Sequence, residues 1–378
     1  MKITILQGAF LPVPPKLGGA VEKMWFALGK DFVRQGHEVV HVSRMYGDMP
    51  AEEWINGVLH KRVSGYATPS SGLRLKWLDL LYTLRVRSIV PLDSDVVVTN
   101  TFWASIVLPA KLRQRCIPDV QRMPKGQMRL YKQAIRLRAN STPVAEAICR
   151  EIPPSQHQRV IMIPNPLPFQ EPPAFDLAGK KPVLLYAGRI HPEKGLELLI
   201  KAFRASKTNW KLQIVGPCET SAGGGGPAYL KSLQQLAGGA AIEFVGPVYD
   251  MDILNQFYAE ASVFVYPSVA EQGETFGLAP LEAMAWGCVP VVSNLACFYD
   301  FIEHERNGLV FDHRHPGAVG LLGRAIERLQ TDPEFRSTLA SQALSVRQSH
   351  STACIAAQFI QEFEHILHEQ GANKLVMP

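Results

Sequence analysis

Residues 183–215 read VLLYAGRIHPEKGLELLIKAFRASKTNWKLQIV: an apolar run at Val183–Tyr186, a Gly-Arg loop, a segment of helical period, and a second apolar run at Leu212–Val215. Strand, helix and strand in that order make a βαβ unit, whose long crossover forces the two strands to lie parallel. The rhythm continues through candidate strands Ile242–Val245, Val263–Tyr266 and Val289–Val292. It is looser upstream, where Ile3–Leu6, Glu38–Val42, Asp95–Thr99 and Val160–Ile163 are candidate strands and Ala20–Gln35 is an apolar-periodic helix. The opening Met1–Leu6 has the lysine and apolar run of a leader, but Gln7-Gly8 breaks it, and it reads as a first buried strand. The fold class expected is α/β with parallel sheets.

At 378 residues the chain is longer than one hydrophobic core serves, so two domains of similar size are expected. The stretch Pro164–Pro173, PNPLPFQEPP, is too rich in proline for a helix or a central strand and reads as a linker. Rossmann-like domains are therefore expected over residues 1–165 and 166–350. A tail, 351–378, is helical in period from Ser351 to Glu369 and able to cross back to the first domain. Two such domains would turn the carboxyl ends of both sheets toward one central cleft, where open α/β sheets bind ligands.

The composition, 47% apolar and 19% charged, is that of an ordinary globular protein, and no stretch approaches the roughly 18 consecutive apolar residues of a membrane span. Six cysteines are scattered without the close pairs of a zinc site or the density of a disulfide scaffold, which fits a reducing cytoplasm. The net charge of +5 hides an asymmetry. Residues 1–170 carry 23 Lys+Arg against 12 Asp+Glu, or +11, while residues 171–378 carry 16 against 22, or −6. The two halves are expected to face different partners.

The most specific motif is ETFGLAPLE, Glu274 to Glu282, which follows the candidate strand and its exit Val263–Ser268. A helix starting near Gly277 would present free amides and its positive dipole end, which suits sugar hydroxyls or a phosphate. Glu274 at that mouth can accept from sugar hydroxyls, and Glu282, further in, can hold a ribose diol. The plainer alternative is a loop glutamate beside a solvated helical one. A second motif, YAGRIHPEKG, Tyr186 to Gly195, leaves the strand Val183–Tyr186. Gly188 permits a sharp turn there, and Arg189 and Lys194 can project where phosphates bind. With no metal, two cations suit a departing diphosphate. The alternative is that Lys194 pairs with Glu193 or Glu197 on the surface and Arg189 is a satisfied loop residue.

A Gly-Arg turn with Lys-Gly five residues later, a Pro-Ser after a late strand and then Glu-x7-Glu resembles the large family-4 retaining glycosyltransferases of GT-B fold, strongly from Asn165 to about Gly308 and weakly before. The resemblance implies that Arg189 and Lys194 hold a donor diphosphate. It implies that Glu274 and the backbone of Phe276, Gly277 and Leu278 hold the sugar, and that Glu282 holds the ribose. Gly246, in FVGP, falls where the family passes the nucleotide base, and Gly18 and Gly19, in PPKLGGA, resemble the glycine loop that faces the diphosphate. Many relatives carry a cleft histidine after the strand matching Asp95–Thr99, and Asn100 stands nearest that place. Asparagine can hydrogen-bond a sugar but carries no proton, which leaves the donor sugar open.

Two Asp-x-Asp triplets, Asp93–Asp95 and Asp250–Asp252, match the metal-binding pair of the other glycosyltransferase fold. Asp250 reads better as an N-cap and Asp93 as a turn, so no metal is expected. The run Gly223–Gly226 reads as an unstructured surface loop more readily than as a phosphate cradle. Leu73–Arg87 is a basic amphipathic segment, and 125–138 adds five cations. Either it contacts an anionic membrane or acceptor, or it is a solvated helix whose Leu/Trp stripe faces the core. Nothing resembles a nucleic-acid-binding module.

The function expected is retaining, metal-independent transfer of a sugar from a UDP- or GDP-sugar to a glycan, lipid-linked or small-molecule acceptor, with no cofactor beyond that donor. The protein is expected in the cytoplasm, with peripheral contact at the inner membrane face as one option. The rivals are a nucleotide-sugar epimerase or a phosphorylase of the same fold, and a non-catalytic nucleotide-sugar-binding protein.

Overall fold

A computed structural model describes residues 1–69, 71–168, 176–206 and 209–376, with side chains through Gln370. Residues 169–173 of the expected linker lie outside the described residues. The chain divides into two compact units, Met1–Gln170 with His350–Pro378, and Glu171–Ser349. The boundaries thus fall a few residues from 165 and 350, and the tail belongs to the first unit.

The first unit holds strands β1 (Lys2–Leu6), β2 (Glu38–Met45), β3 (Glu52–Ile55), β4 (Val58–Ser64), β5 (Val96–Thr99), β6 (Cys116–Val120), β7 (Leu137–Ala139) and β8 (Val160–Met162). Their order is β3-β4-β2-β1-β5-β6-β7-β8, parallel except for the β3–β4 hairpin. Helix α1 (Ala20–Arg34) follows β1, and α2 (Gly72–Val86) follows β4. The C-terminal helix Thr352–Val376 packs on α1: Phe359 meets Trp25 at a centroid distance of 5.1 Å, and Phe363 meets Phe32 at 6.0 Å. Ile3, Ile5, Val96 and Val98 join them in one core.

The second unit holds β9 (Lys181–Ala187), β10 (Lys211–Val215), β11 (Ile242–Gly246), β12 (Ala261–Tyr266), β13 (Val289–Ser293) and β14 (Leu309–Phe311), parallel throughout in the order β11-β10-β9-β12-β13-β14. Strand order reverses between β9 and β12, as it does between β1 and β5 in the first unit. At such a reversal the connections leave in opposite directions and open a crevice at the strands' carboxyl ends.

All five strands expected in the second half form, whereas β3, β4, β6, β7 and β14 lie outside the expected set. β6 contains Pro118 and Asp119, and β7 is only Leu137-Arg138-Ala139, so neither has the apolar run of a buried strand. Both stay buried because Arg138 and Asp119, fully enclosed, pair at 2.6 Å. Among the described residues no helix is long and apolar enough to cross a membrane.

Candidate functional site

The second unit's site begins where β9 ends. Gly188 N–H donates to the Val215 carbonyl and Ile190 N–H to that of Pro217, both at 2.9 Å, so the loop stays bound to the exit of β10. The Tyr186 hydroxyl donates to the Arg189 carbonyl at 2.8 Å, and its ring stacks 5.7 Å from Tyr266 of β12. The chain then makes a short 3-10 turn, Pro192–Lys194, and leaves through Gly195 at φ +68°. A Cβ on Gly195 would lie 2.0 Å from the Pro267 carbonyl oxygen, so only glycine lets this turn press on the exit of β12. Val269 N–H locks the two loops together by donating to the Glu193 carbonyl at 2.8 Å.

That contact sets Lys194 Nζ 2.7 Å from Glu274 Oε2, with the side chains 8% and 11% exposed. The ammonium also lies 5.2 Å from the Tyr266 ring centroid, over its negative face. Each of the two enclosed groups has the other as its ion-pair partner. Burial first, and the Glu274 charge next, push the Tyr186 and Tyr266 phenols well up, so neither is a proton source near neutral pH. Arg189 is half exposed on the same loop, where it pairs with Glu193 at 2.7 Å and donates to the Gly223 carbonyl. The surface pairing expected as an alternative for Lys194 therefore falls to Arg189, while Lys194 takes the partner across the sheet.

Beyond Glu274 the chain turns through Gly277, at φ +90°, into the helix Leu278–Ala285. A Cβ there would approach the Phe298 ring to 2.5 Å, so close packing as well as the dihedral requires glycine. Phe276 is buried against Phe301 at 5.5 Å, which fixes the strand-to-helix turn carrying residues 276–278. Glu282 is buried and accepts from the Tyr258 hydroxyl at 3.2 Å, a contact separate from the Lys194–Glu274 pair. It is not a solvated helical glutamate. Gly246 ends β11 at φ +86°, its carbonyl accepting from Gly216 N–H at 2.8 Å and the space where a Cβ would stand open.

Gly223–Gly226 departs from the surface loop expected of it. Gly225 N–H donates to Ile190 and Gly226 N–H to Cys218, and with Arg189 on Gly223 they fasten the run to the exits of β9 and β10. Asp250 is an N-cap as expected, its carboxylate accepting from the N–H groups of Asp252 and Ile253. Among the described residues no group of three or more His, Cys, Asp or Glu side chains is placed to share a metal ion.

In the first unit Gly18 and Gly19 take φ of +78° and +95° just before α1. Asn100 follows β5, and its backbone N–H donates to the Leu6 carbonyl at 2.9 Å, which places it at the β1/β5 reversal. Its side-chain Nδ2 donates to Asp119 at 2.7 Å, leaving Oδ1 as the acceptor without a partner among the described residues. Asp119 also receives Trp25 Nε1, Arg138 and Gln121, so the group that orients Asn100 is a buried ion pair outside the motifs. A charged residue inside the apolar triplet Leu137–Ala139 is the signal that marks it.

Residues 170–346 match the family model of glycosyl transferases group 1. An uncharacterized glycosyltransferase of Methanocaldococcus jannaschii is 26% identical over 413 residues, covering 98% of this chain and 100% of that one. The chain spans about a third of the length of several other curated relatives that it matches. Among solved structures, sucrose-phosphate synthase from Thermosynechococcus elongatus superimposes with a TM-score of 0.77 at 21% identity, covering 98% of this chain and 100% of that one. Anabaena HepE in complex with UDP and glucose does so at 0.69 and 20%, covering 97% and 100%. The fold is that of the GT-B glycosyltransferases. The class that the fold defines is thus GT-B, and within it residues 170–346 match the group 1 glycosyl transferase domain.

Proposed function

We propose that the chain transfers a sugar from a UDP- or GDP-sugar to a glycan, lipid-linked or small-molecule acceptor, with retention at the anomeric carbon and without a metal ion. The observation that carries this reading is the Lys194–Glu274 pair at the β9/β12 reversal, with Arg189 on the same loop and a helix start just beyond Glu274. As the bond from sugar C1 to the phosphate oxygen breaks, negative charge grows on the phosphate and positive charge on the sugar. Lys194 has three N–H donors and gives one to Glu274. The others, with Arg189, meet the diphosphate and stabilise the growing charge, an effect worth roughly 10²–10³ in rate per donor.

Glu274 and the backbone N–H groups of Phe276–Leu278 accept and donate to the sugar hydroxyls. Glu282 takes the ribose diol, and the open side of Gly246 admits the base. In the first unit the Gly18–Gly19 turn lets backbone approach a phosphate, and Asn100 Oδ1 accepts from a hydroxyl. The acceptor oxygen bonds to C1 on the face the leaving group vacates while its proton passes to the departing phosphate oxygen, so retention needs no protein nucleophile. A neighbour of the same fold that holds UDP and glucose supports a nucleotide-sugar donor. Six free thiols support a cytoplasmic location.

Purified protein incubated with UDP- and GDP-sugars, with and without glycan and lipid-linked acceptors, tests the reading. Acceptor-dependent release of free nucleotide is expected. A changed donor sugar without release would assign an epimerase, and saturable binding with neither outcome a sensor.

A further inference from the structure

Helix α2 carries an apolar stripe on its outer side as well as a buried inner side. Asp79, Tyr82, Thr83 and Val86 face inward, whereas Leu73, Trp77 and Leu84 are 84%, 59% and 47% exposed. At 3.6 residues per turn those three fall within about 40° of one another, a single stripe along the helix. Exposed Arg74 and Arg85 border one edge of it, and exposed Lys76 and Arg87 the other. Asp79, the helix's one acid, is buried and accepts from Phe102 N–H at 2.9 Å. The stripe of Leu73, Trp77 and Leu84 thus lies on the solvent side, while Tyr82 and Val86 supply the core-facing side.

The orientation is held from below. Trp103 Nε1 donates to the Lys76 carbonyl at 2.7 Å, and Lys76 Nζ lies 4.9 Å from the Phe102 ring centroid. The Tyr131 hydroxyl donates to the Phe102 carbonyl at 3.1 Å, bringing the segment Gln127–Leu130 alongside with Arg129, Leu130 and Lys132 exposed. The nearby Glu151 carboxylate is occupied by the N–H groups of Gly126 and Met128.

We propose that this face of the first unit docks on an anionic lipid bilayer, with Leu73, Trp77 and Leu84 entering the headgroup layer and the flanking cations on lipid phosphates. An apolar stripe rimmed by cations, on a helix whose one acid is buried, fits a surface whose rim is anionic and whose interior is apolar. A second copy of the chain fits it poorly, because a two-fold contact through this face would set its cations against their own kind. Docking would bring the first unit to acceptors held in a membrane, and it is independent of the glycosyl-transfer reading.

The full chain is co-sedimented with vesicles of phosphatidylcholine alone and of phosphatidylcholine with phosphatidylglycerol. Binding is expected only with phosphatidylglycerol, fading as salt rises. Leu73→Ser/Trp77→Ser and Arg74→Gln/Arg87→Gln should each weaken it at least about tenfold, while UDP binding without lipid stays at the wild-type level. Wild-type protein left in the supernatant with phosphatidylglycerol overturns the proposal, as does equal binding by both variants. A dimer in light scattering that Leu73→Ser/Trp77→Ser dissolves, with no vesicle binding, overturns it in favour of a second copy. Because UDP binding is read without lipid, loss of the donor site would show separately.

Discussion

Lys194 and Glu274, 80 positions apart in sequence, share a 2.7 Å ion pair at the exits of the two strands that flank the reversal of the second sheet. Groups so joined act as a unit. Lys194→Ala should lower kcat on the order of 100-fold, and Glu274→Gln should also lower it. The double variant should lose less than the product of the two, a coupling of about 1 kcal/mol or more. Steady-state kinetics on the four proteins measures this, and strictly multiplicative losses would show that the residues act apart.

Glu282 is oriented by Tyr258, whose hydroxyl donates to it at 3.2 Å. Tyr258→Phe keeps the ring and removes that donor from a carboxylate, worth roughly 1.5–3 kcal/mol. With Glu282 on the ribose as proposed, donor KM should rise about tenfold with kcat within about twofold, since such a contact is alike in ground and transition states. A fall in kcat at unchanged KM would contradict the role given to Glu282.

Asp119→Ala should destabilise the first unit by about 3–5 kcal/mol, because it leaves the fully enclosed Arg138 without its counter-charge. The midpoint of urea unfolding should drop with little change in slope. A midpoint within experimental error of wild type would mean that Arg138 finds another partner.

Burial lowers the imidazole pKa of His41, His60 and His350, the latter two to about 4. These groups stay neutral when folded but take up protons near pH 6.5 when unfolded. Their stability contribution is present above about 6.5 and drains away as pH falls toward 4, by roughly 1.4 kcal/mol per unit for each. Asp79, raised to about 6 by its own burial, and Glu22, also raised by burial, work in the opposite sense, but two carboxyls face three imidazoles. Urea unfolding should show lower stability at pH 5 than at pH 7, and a flat profile would contradict the neutral buried histidines.

Legibility followed burial chemistry. The second unit's strands read plainly because a parallel sheet covered on both faces is written in continuous apolar runs. β6 and β7 did not, since Asp119 and Arg138 are tolerated inside only through each other, a partnership invisible to a local window. The motif residues Arg189, Lys194, Glu274 and Glu282 were all visible, but their pairing was not. Spacing leaves Lys194 open to phosphate or, as the alternative, to Glu193 or Glu197, whereas strand order brings the β12 exit against the β9 exit and hands Glu193 to Arg189. The outward stripe of α2 was equally open from sequence, because helical period fixes which residues share a face and leaves open which face is covered.

The central claim is that Arg189 and Lys194 hold a nucleotide diphosphate without a metal ion. Isothermal titration of UDP and of GDP in EDTA, into wild-type protein, Arg189→Ala and Lys194→Ala, tests it most directly. One nucleotide should bind wild type saturably in EDTA, and Lys194→Ala should weaken that binding at least about tenfold, as loss of a charge-assisted hydrogen bond requires. Equal affinity in all three proteins, or binding that appears only on adding manganese, would contradict it.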